Sequence, residues 1–381
     1  MKKTLQLLAG FWSVLWGVAN AETGSGTGVG WGALNLPAGV TPDSHDIHDL
    51  HMTILWICVG IGILVYGILV YSLIHHRKSK GVVPATFHEN TKLEIVWTII
   101  PFLILIAMAI PATKVMIKVY DTSASDMTIK VTGYQWKWRY TYLDEGIDFF
   151  SSLDAKSNEA RQLGSKIDPA TVEHYLLNVD KPLVIPANKK IRILLTAADV
   201  LHAWWVPEFG WKKDAIPGFI TDGWIKVEKP GIYRGQCAEL CGRDHGFMPI
   251  VVVVKTEDEY KQWVAAEKAK QEVGKVDASK PLTLDELTAK GKEVYASNCA
   301  ACHGAEGDGV PGVFPAIKGS KVALGPLADH LKLVLHGKAA MPAFKDQLND
   351  VEIAAVVTYQ RNGFGNKKGD SIQPADIQAY K

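Results

Sequence analysis

The chain has 381 residues, with 41 Lys and Arg against 40 Asp and Glu, and 48% of its residues are hydrophobic. The hydrophobic share excludes a disordered protein, and the balanced charge gives no basis for binding nucleic acid. Five cysteines are too few for a disulfide scaffold, and the length predicts two or three domains.

The N-terminal segment, residues 1–21, has the pattern of a secretory signal peptide. It begins with Lys2 and Lys3, continues through a short apolar core and ends with Ala19-Asn20-Ala21. A third membrane helix is the alternative, but the apolar core is short for a bilayer span. We therefore predict that this segment is cleaved and that the mature chain begins outside the cytoplasm.

Two long uncharged runs follow, at residues 52–74 and 95–113, and each is long enough to cross a membrane as a helix. The connecting segment is basic and the segment before the first run is acidic, so the positive-inside rule places the connection in the cytoplasm. We therefore predict that residues 22–119 form an N-terminal segment followed by a two-helix transmembrane hairpin. The rest of the chain is expected on the periplasmic side of a bacterial-type inner membrane.

Two groups of ionisable residues accompany these runs. His45, His48 and His51 recur every three residues beside acidic residues, a pattern that favours a solvated helix start over a metal site. Glu94 precedes the second run and is either an interfacial residue or a point where protons enter the membrane.

From Thr128 the pattern changes to alternation of period two. Tyr134, Trp136, Trp138 and Tyr140 alternate with polar residues, which predicts one strand with an aromatic face. Further β-rich runs, divided by Gly and Pro, predict an antiparallel sandwich or barrel over residues 120–265. These runs are 181–185, 191–195, 223–227, 231–235 and 249–255. Residues 144–173 are polar and predict a long loop with some helix.

A short segment of this domain concentrates soft metal ligands, namely Cys237, Cys241, His245 and Met248. His202 could supply a second imidazole, and soft sulfur and nitrogen ligands favour copper. A disulfide would leave His245 and Met248 unexplained, and Met is a poor zinc ligand. A mononuclear blue-copper site would leave one Cys unused. The donor set suits two copper ions that share bridging thiolates.

These ligands, the paired membrane runs and the segment Tyr134-Gln135-Trp136-Lys137-Trp138 resemble subunit II of cytochrome c oxidase over residues 40–265. The resemblance implies a cupredoxin-like domain with a binuclear copper (CuA) site. It assigns the bridging positions to Cys237 and Cys241. The remaining ligands that it implies are His202, His245, Met248 and the backbone carbonyl of Glu239.

The resemblance also implies roles for three residues outside the copper coordination itself. Trp136 would be the residue through which electrons arrive, with simple strand packing as the alternative. Glu94, in the motif Glu94-x-x-Trp97, would be the mouth of a proton channel. The Glu239 side chain would reach a magnesium site shared with subunit I.

A second domain follows a segment that is rich in Lys and Glu. Residues 256–280 predict a charged helix and then a solvated linker, placed at 266–282. Thr283 and Glu286 form a capping box that opens a helix. This helix leads to Cys299-Ala300-Ala301-Cys302-His303, the C-x-x-C-H pattern of covalent haem c attachment. A redox dithiol or a zinc pair is the alternative, and the extracytoplasmic location favours haem.

Residues 283–365 resemble a small, all-α class I cytochrome c domain. Cys299 and Cys302 would form the thioethers and His303 would be the proximal haem ligand. Met341 is the expected second axial ligand, with His330 and His336 as rivals. A closing helix at 350–360 is expected to pack on the haem-bearing helix, and residues 366–381 form a polar tail without an assigned role.

Together these patterns predict a multi-domain protein: a transmembrane hairpin, an all-β copper domain and an all-α cytochrome c domain. The implied function is that of subunit II of a haem–copper oxidase. Electrons would pass from its own haem c to the CuA centre and on to haem in subunit I, where oxygen is reduced to water with proton pumping. The expected partners are subunits I and III, membrane lipid, and a donor that is a cytochrome c or an upstream respiratory complex.

Three other classes of protein share part of this pattern. A membrane-anchored electron carrier would have no use for Glu94 and Glu239. A quinol-oxidising subunit II would lack the copper ligands, all of which are present here. A copper-assembly or storage protein would need no haem.

Overall fold

A computed structural model describes residues 35–37, 39–162, 164–274, 281–339 and 341–381. The predicted signal peptide lies outside this part of the chain. The chain divides into two compact units, Met1–Val264 and Ala265–Lys381.

Two long helices open the described part of the first unit. Helix α1 spans Pro42–His75 and begins at a capping box formed by Thr41 and Ser44, with Pro42 in the first turn. Helix α2 spans Thr91–Tyr120, and the side chain of Asn90 caps its start. Within the described residues, these are the helices long and apolar enough to cross a membrane, and their apolar stretches are not buried by the rest of the chain.

The first unit continues as two five-stranded β-sheets. One sheet has the strand order β3-β2-β1-β5-β8 and the other has the order β4-β10-β9-β6-β7. The strands are β1 Met127–Tyr134, β2 Lys137–Tyr142, β3 Ile147–Ser151, β4 Leu183–Pro186, β5 Ile191–Ala197, β6 His202–Trp205, β7 Lys212–Ala215, β8 Thr221–Ile225, β9 Gly231–Cys237 and β10 Pro249–Lys255. Buried residues of both sheets form one hydrophobic core, which includes Trp138 and Trp204.

The sheets differ from the predicted antiparallel sandwich in two pairings. Strand β1 pairs with β5 in parallel, and β10 pairs with β4 in parallel, whereas the remaining strand pairs are antiparallel. Parallel partners need long connections. The chain between these partners, which contains other strands of both sheets, supplies them.

The aromatic run at residues 134–140 is not one strand, so that prediction was wrong. Gln135 and Trp136 form a tight turn between β1 and β2, and Gly133 pairs with Trp138 across this hairpin. Because the chain reverses there, Tyr134 pairs with Lys137 and faces away from the core face that holds Trp138.

The polar excursion at residues 144–173 contains more regular structure than predicted. It begins with strand β3 and continues with helix α3 at Ala155–Ala160, which is capped by the side chain of Asp154. A single 3₁₀ turn, Pro169–Thr171, follows. The predicted loop therefore extends one sheet by a strand before it leaves the core.

Helix α4, Glu257–Gly274, is the predicted charged helix, and it continues into the residues expected to form the linker. Within the first unit, Tyr260 and Trp263 of α4 pack on the core of the sheets. The apolar side chains at the start of the helix explain why this part is ordered against the β-domain.

The second unit is helical in the part that the structure describes. Its helices are α5 Leu284–Asn298, α6 Ala300–His303, α7 Leu327–His336, α8 Asp350–Asn362 and α9 Pro374–Gln378. Helices α5 and α8 pack closely at Gly291, where a Cβ would lie 2.1 Å from the Ala355 carbonyl oxygen. The predicted packing of the closing helix on the haem-bearing helix is therefore present.

The C-terminal residues are part of this helical core. Ile372 and Ile377 are buried, and the Ile372 amide donates to the Thr358 hydroxyl at 3.1 Å. Gln373 exchanges two hydrogen bonds with the backbone of Leu282. The polar tail thus ties the end of the second unit to its beginning.

Candidate functional site

The predicted copper ligands meet at one edge of the second sheet. His202 is the first residue of β6, Cys237 is the last residue of β9, and Met248 immediately precedes β10. Strand β9 lies between β6 and β10 and is antiparallel to both. The start of β6, the end of β9 and the start of β10 therefore lie at the same edge, which brings distant parts of the sequence together.

The donor atoms of these residues form a compact, mostly buried group. The sulfur of Cys237 lies 3.8 Å from the sulfur of Cys241 and 3.9 Å from Nδ1 of His202. The Cys241 sulfur lies 3.5 Å from Nδ1 of His245 and 3.5 Å from the sulfur of Met248. Ligands held at about 2.0–2.3 Å around a tetrahedral metal lie about 3.3–3.8 Å apart, close to the observed spacing.

The backbone carbonyl of Glu239 belongs to the same group. Its oxygen lies 3.4 Å from the Cys237 sulfur, whereas the Glu239 side chain is only half-buried. Two thiols, two imidazoles, one thioether and one carbonyl thus converge. This donor set fits soft copper ions better than hard cations.

The two thiols and His202 influence each other's ionisation. The hydrogen bond with Cys241, assisted by His202, lowers the pKa of the Cys237 thiol despite its burial. The Cys237 thiolate in turn raises the pKa of Cys241. Burial opposes protonation of His202, but hydrogen bonds with Asp199 and Cys237 outweigh it and raise the pKa of His202. Binding of a metal ion by these thiols would release their protons.

The residues around the group fix the ligands in place. Nε2 of His202 lies 2.9 Å from the Asp199 carboxylate, which leaves Nδ1 directed at Cys237. Gly133 permits this arrangement, because a Cβ there would lie 2.8 Å from the His202 ring.

Side chains of the β1–β2 hairpin donate hydrogen bonds to the backbone carbonyls of two candidate ligand residues. The carbonyl of Cys241 accepts hydrogen bonds from the side chains of Gln135 at 2.9 Å and Trp136 at 3.2 Å. The indole of Trp138 donates to the Met248 carbonyl at 3.3 Å. Trp136 therefore lies in the hairpin turn, half-buried and in direct contact with a candidate copper ligand.

Glu94 lies apart from this group. It occupies the first turn of α2, is exposed, and its backbone carbonyl accepts a hydrogen bond from Thr98 at 2.8 Å. Its position at the end of an apolar helix is compatible with either role considered for it.

In the second unit, the C-x-x-C-H residues lie between α5 and the end of α6. Cys299 caps α5, and Cys302 and His303 lie on α6. Nδ1 of His303 lies 2.8 Å from the Pro315 carbonyl, so it acts as the donor and leaves Nε2 with a free lone pair. Pro315 also lines an open cleft of about 440 Å³, together with Asp308, Pro311, Gly312, Val313, Phe314 and Ala316. An oriented imidazole and two cysteines at this spacing fit a covalently attached haem.

The three candidates for the second axial ligand differ in their surroundings. Met341 is partly buried and packs against the core of the unit, in a tight turn with Lys338. His330 is buried and its Nε2 lies 2.8 Å from the Gln360 side chain. Burial lowers the pKa of His330 to about 4. His336 is exposed at the end of α7. These surroundings favour Met341.

Several residues that support the site had not been singled out from the sequence. Asp199 and Gln135 contact copper-ligand residues, and Pro315 orients His303. The position of Asp199, three residues before His202, is a sequence feature that could have indicated its contact with the imidazole. The contacts of Gln135 and Pro315 depend on backbone carbonyls, which a sequence pattern does not reveal.

Comparison with known proteins places the chain in a family. The family model "Cytochrome C oxidase subunit II, transmembrane domain" matches residues 29–115, and "Cytochrome C oxidase subunit II, periplasmic domain" matches residues 127–255. The probable cytochrome c oxidase subunit 2 of Rickettsia bellii is 39% identical over 227 residues, which are 59% of this chain and 81% of the relative. The chain belongs to the cytochrome c oxidase subunit II family.

Other members of the cytochrome c oxidase subunit II family match over the same part of the chain. Subunit 2 of Cereibacter sphaeroides is 36% identical, covering 61% of this chain and 80% of its own. Subunit 2 of Arabidopsis thaliana is 38% identical, covering 61% and 88%. The crystal structure of the periplasmic domain of subunit II from Bradyrhizobium japonicum is 41% identical, covers 39% of this chain and 98% of that domain, and has a TM-score of 0.34.

A third family model covers the helical unit. It is described as "Cytochrome C oxidase, cbb3-type, subunit III" and matches residues 286–359. The predicted fold class is thereby confirmed: membrane helices, a cupredoxin-like β-domain and a cytochrome c domain. For a cytochrome c oxidase subunit II with this addition, the families imply copper in the β-domain and haem in the helical domain.

Proposed function

We propose that this chain is the electron-accepting subunit of a haem–copper oxidase and that it carries both of its redox centres on the periplasmic side of the membrane. Electrons would arrive at haem c, continue to a binuclear copper centre and leave toward haem in subunit I. Oxygen reduction and proton pumping would take place in the complex with subunit I. The assembly would also include subunit III.

One observation carries the copper proposal, namely the convergence of two thiols, two imidazoles and a thioether at one sheet edge. Cys237 and Cys241 would bridge two copper ions, and His202, His245, Met248 and the Glu239 carbonyl would complete the ligand set. Copper held by these donors would supply a one-electron redox centre. The chain's own contribution is to hold the donors and to exclude water.

The hydrogen bonds around the candidate ligands support the proposal that the chain holds the donor atoms in place. Asp199 orients His202 and, through its negative charge, increases the basicity of the ring. Trp136 touches the carbonyl of Cys241 and is half-exposed, so it offers an aromatic contact between the surface and the site. We infer that electrons enter the copper centre at Trp136. The Glu239 side chain is proposed as a magnesium ligand shared with subunit I.

For the helical unit, we propose thioether attachment of haem c through Cys299 and Cys302. His303, oriented by Pro315, would be one axial ligand and Met341 the other. We further propose that the cleaved segment is residues 1–21, that helices α1 and α2 cross the membrane, and that Glu94 is the mouth of a proton channel. The proposed copper domain is residues 120–265. The proposed haem domain begins at residue 283, and its core extends beyond the predicted limit of 365 to include Ile372 and Ile377.

The test uses the full-length chain in detergent, loaded with copper. The expected result is two copper ions per chain and an EPR spectrum with hyperfine splitting from one electron shared by two copper nuclei. Cys241→Ser should abolish this spectrum. Cys58→Ala should leave it unchanged, because Cys58 lies within α1 and outside the site. A mononuclear spectrum in the unaltered chain would overturn the copper proposal.

The oxidase proposal needs a second measurement, made in membranes that contain the complete complex. Cys237→Ser should abolish oxygen consumption with the natural donor, while Cys58→Ala should retain it. If oxygen consumption survived loss of the copper spectrum, the chain would be a separate electron carrier.

A further inference from the structure

The segment between β3 and β4, residues 152–182, places one arginine directly against the copper-ligand loop, which is residues 238–248 between β9 and β10. Arg161 follows helix α3, and its guanidinium NH2 group donates to the Asp244 carboxylate at 3.1 Å. The same guanidinium lies over the ring of Phe247, 4.3 Å from its centre. A third contact, from Nε to the Asn158 side chain at 2.8 Å, fixes the orientation of the guanidinium.

Each residue that Arg161 contacts on this loop adjoins a candidate copper ligand. Asp244 immediately precedes His245, and Phe247 immediately precedes Met248. The four residues share one 3₁₀ turn, in which the Phe247 amide donates to the Asp244 carbonyl at 2.9 Å. A displacement of Asp244 or Phe247 therefore moves the imidazole of His245 or the thioether of Met248.

The ends of the loop have other supports, whereas in its middle Asp244 contacts Arg161 at 3.1 Å and, less closely, the neighbouring Arg243 at 3.8 Å. Gln135 and Trp136 hold the Cys241 carbonyl, and Trp138 holds the Met248 carbonyl. Between them, Gly242 and Gly246 are exposed, and nothing lies within 4 Å of the position that a Cβ would take at Gly246. The two Arg161 contacts are on this intervening stretch.

The ion pair between Arg161 and Asp244 is more shielded from water than an exposed ion pair of the same domain. The side chains of Arg161 and Asp244 are 12% and 5% exposed, whereas the Arg192–Asp222 pair of the same domain is 42% and 39% exposed. A buried ion pair is poor evidence for stability, because desolvation offsets its attraction, but its geometry strongly restricts the conformations available to it. We therefore consider this ion pair for its effect on the conformation of the loop, not for a contribution to the stability of the domain.

The segment that carries Arg161 is itself anchored to the strand leading to Cys237. Asn178 accepts a hydrogen bond from Arg234 of β9 at 3.1 Å, and its carbonyl accepts one from the Asp154 amide at 3.2 Å. The hydroxyl of Ser157 accepts from the Leu176 amide at 3.2 Å. Both ends of the excursion are thus tied together beside β9, which gives Arg161 a fixed base.

We propose that Arg161 is a positioning residue for the copper site: it holds the turn at 244–247 so that His245 and Met248 face Cys241 before the metal binds. This inference rests on the proposed copper function. It assigns a role to the polar excursion between β3 and β4, and it makes the ligand loop depend on a residue about eighty positions earlier in the chain.

The first test is hydrogen exchange of the metal-free, full-length chain in detergent. Arg161→Ala should accelerate exchange of the amides of residues 242–247 roughly 10-fold, because the turn opens more often once these contacts are lost. Arg192→Ala, which removes the exposed Arg–Asp pair on β5 and β8, should change the same amides less than twofold. Exchange within β9 and β10 reports whether the Arg161→Ala domain remains folded.

The second test is copper release to an excess of chelator, followed by the copper–thiolate absorbance. Arg161→Ala should release copper roughly 10- to 100-fold faster and alter the EPR hyperfine pattern. Arg161→Lys should recover part of the loss, because it keeps the charge beside Asp244 but lacks the planar group that stacks on Phe247. The haem absorbance of the same chain is an internal control and should not change.

The outcomes separate this inference from the proposed function. If the unaltered chain failed to bind two copper ions, the proposed function would fail, and the exchange measurement would still decide whether Arg161 holds the turn. Loop exchange and copper release within twofold of the unaltered chain would overturn the inference. If Arg161→Ala is poorly folded, Phe247→Leu is the alternative variant, because it keeps the Arg161–Asp244 ion pair. Phe247→Leu should still accelerate exchange in the loop. Unchanged exchange in this variant would also overturn the inference.

Discussion

Gly133 provides the sharpest test of how the β-domain positions a copper ligand. It lies on β1 opposite Trp138, and the ring of His202 packs directly over its Cα. A Cβ at position 133 would lie 2.8 Å from Cδ2 and 2.9 Å from Cγ of the ring, where ordinary contact begins at 3.4 Å. The ring would have to retreat by about 0.6 Å, and His202 is fully buried with Trp138 beside it at a ring distance of 5.9 Å.

The expected cost of Gly133→Ala has two opposing parts. Overpacking of a buried site costs about 1–3 kcal/mol, whereas replacing Gly by Ala within a strand returns about 0.5–1 kcal/mol. We expect a net destabilisation of the metal-free chain of about 1–2 kcal/mol. Moving the His202 ring also lengthens its 2.9 Å contact with Asp199. Copper affinity should therefore fall roughly 10- to 100-fold.

Gly223→Ala is the matched control for this prediction. Gly223 also lies in a β-strand of the domain, but its Cβ would meet the Trp211 ring at 3.5 Å, an ordinary contact distance. This variant should keep its copper affinity and lose no stability. Denaturant unfolding and competition with a copper chelator, both on the full-length chain, provide the two measurements. If Gly133→Ala matched Gly223→Ala in both, the close packing of β1 on His202 would have no role in the site.

Three further predictions address the other supports of the redox sites. Asp199→Asn keeps the size of the side chain but removes the negative charge beside His202, so the affinity for copper should fall roughly 10-fold or more in chelator competition. Cys302→Ser should leave haem attached through Cys299 alone, whereas replacing both cysteines should abolish the haem stain on a denaturing gel; retention of stain by the double variant would refute covalent attachment at this motif. The lowered pKa of His330, about 4 against 6.5 in an unfolded chain, means that the folded state binds fewer protons between these values. Stability that His330 contributes above pH 6.5 is therefore lost as the pH falls toward 4, by about 2 kcal/mol between pH 7 and pH 4.5. Unfolding followed by haem absorbance should show this loss in the unaltered chain and a flatter pH dependence in His330→Gln.

The membrane helices and the ligand residues were predictable because their signals are local. A helix that crosses a bilayer needs about twenty apolar residues in succession, and the candidate copper ligands from Cys237 to Met248 lie within twelve consecutive residues. The C-x-x-C-H motif is also local. In each case, the chemistry requires a fixed spacing along the chain, which is visible without knowledge of the fold.

The aromatic hairpin shows why other features were not predictable. The run from Tyr134 to Tyr140 alternates as a single strand would, but the chain reverses at Gln135 and Trp136. Alternation in a sequence does not distinguish a continuous strand from a short hairpin whose turn residues are themselves large and polar or aromatic. The turn residues are not the Gly and Asn that usually indicate a reversal. They contact the Cys241 carbonyl instead, so their identity reflects the site.

The supports of the copper-ligand loop follow from what electron transfer requires of a metal centre. Ligand positions that change little between redox states must be held by the protein in advance. His202 and Cys237 are held because they end strands of one sheet, and the Cys241 carbonyl is held by the β1–β2 turn. The turn at 244–247 belongs to no strand, and it is there that the chain brings in Arg161 from another segment. A contact from outside the two sheets thus falls on the part of the site that the sheets support least.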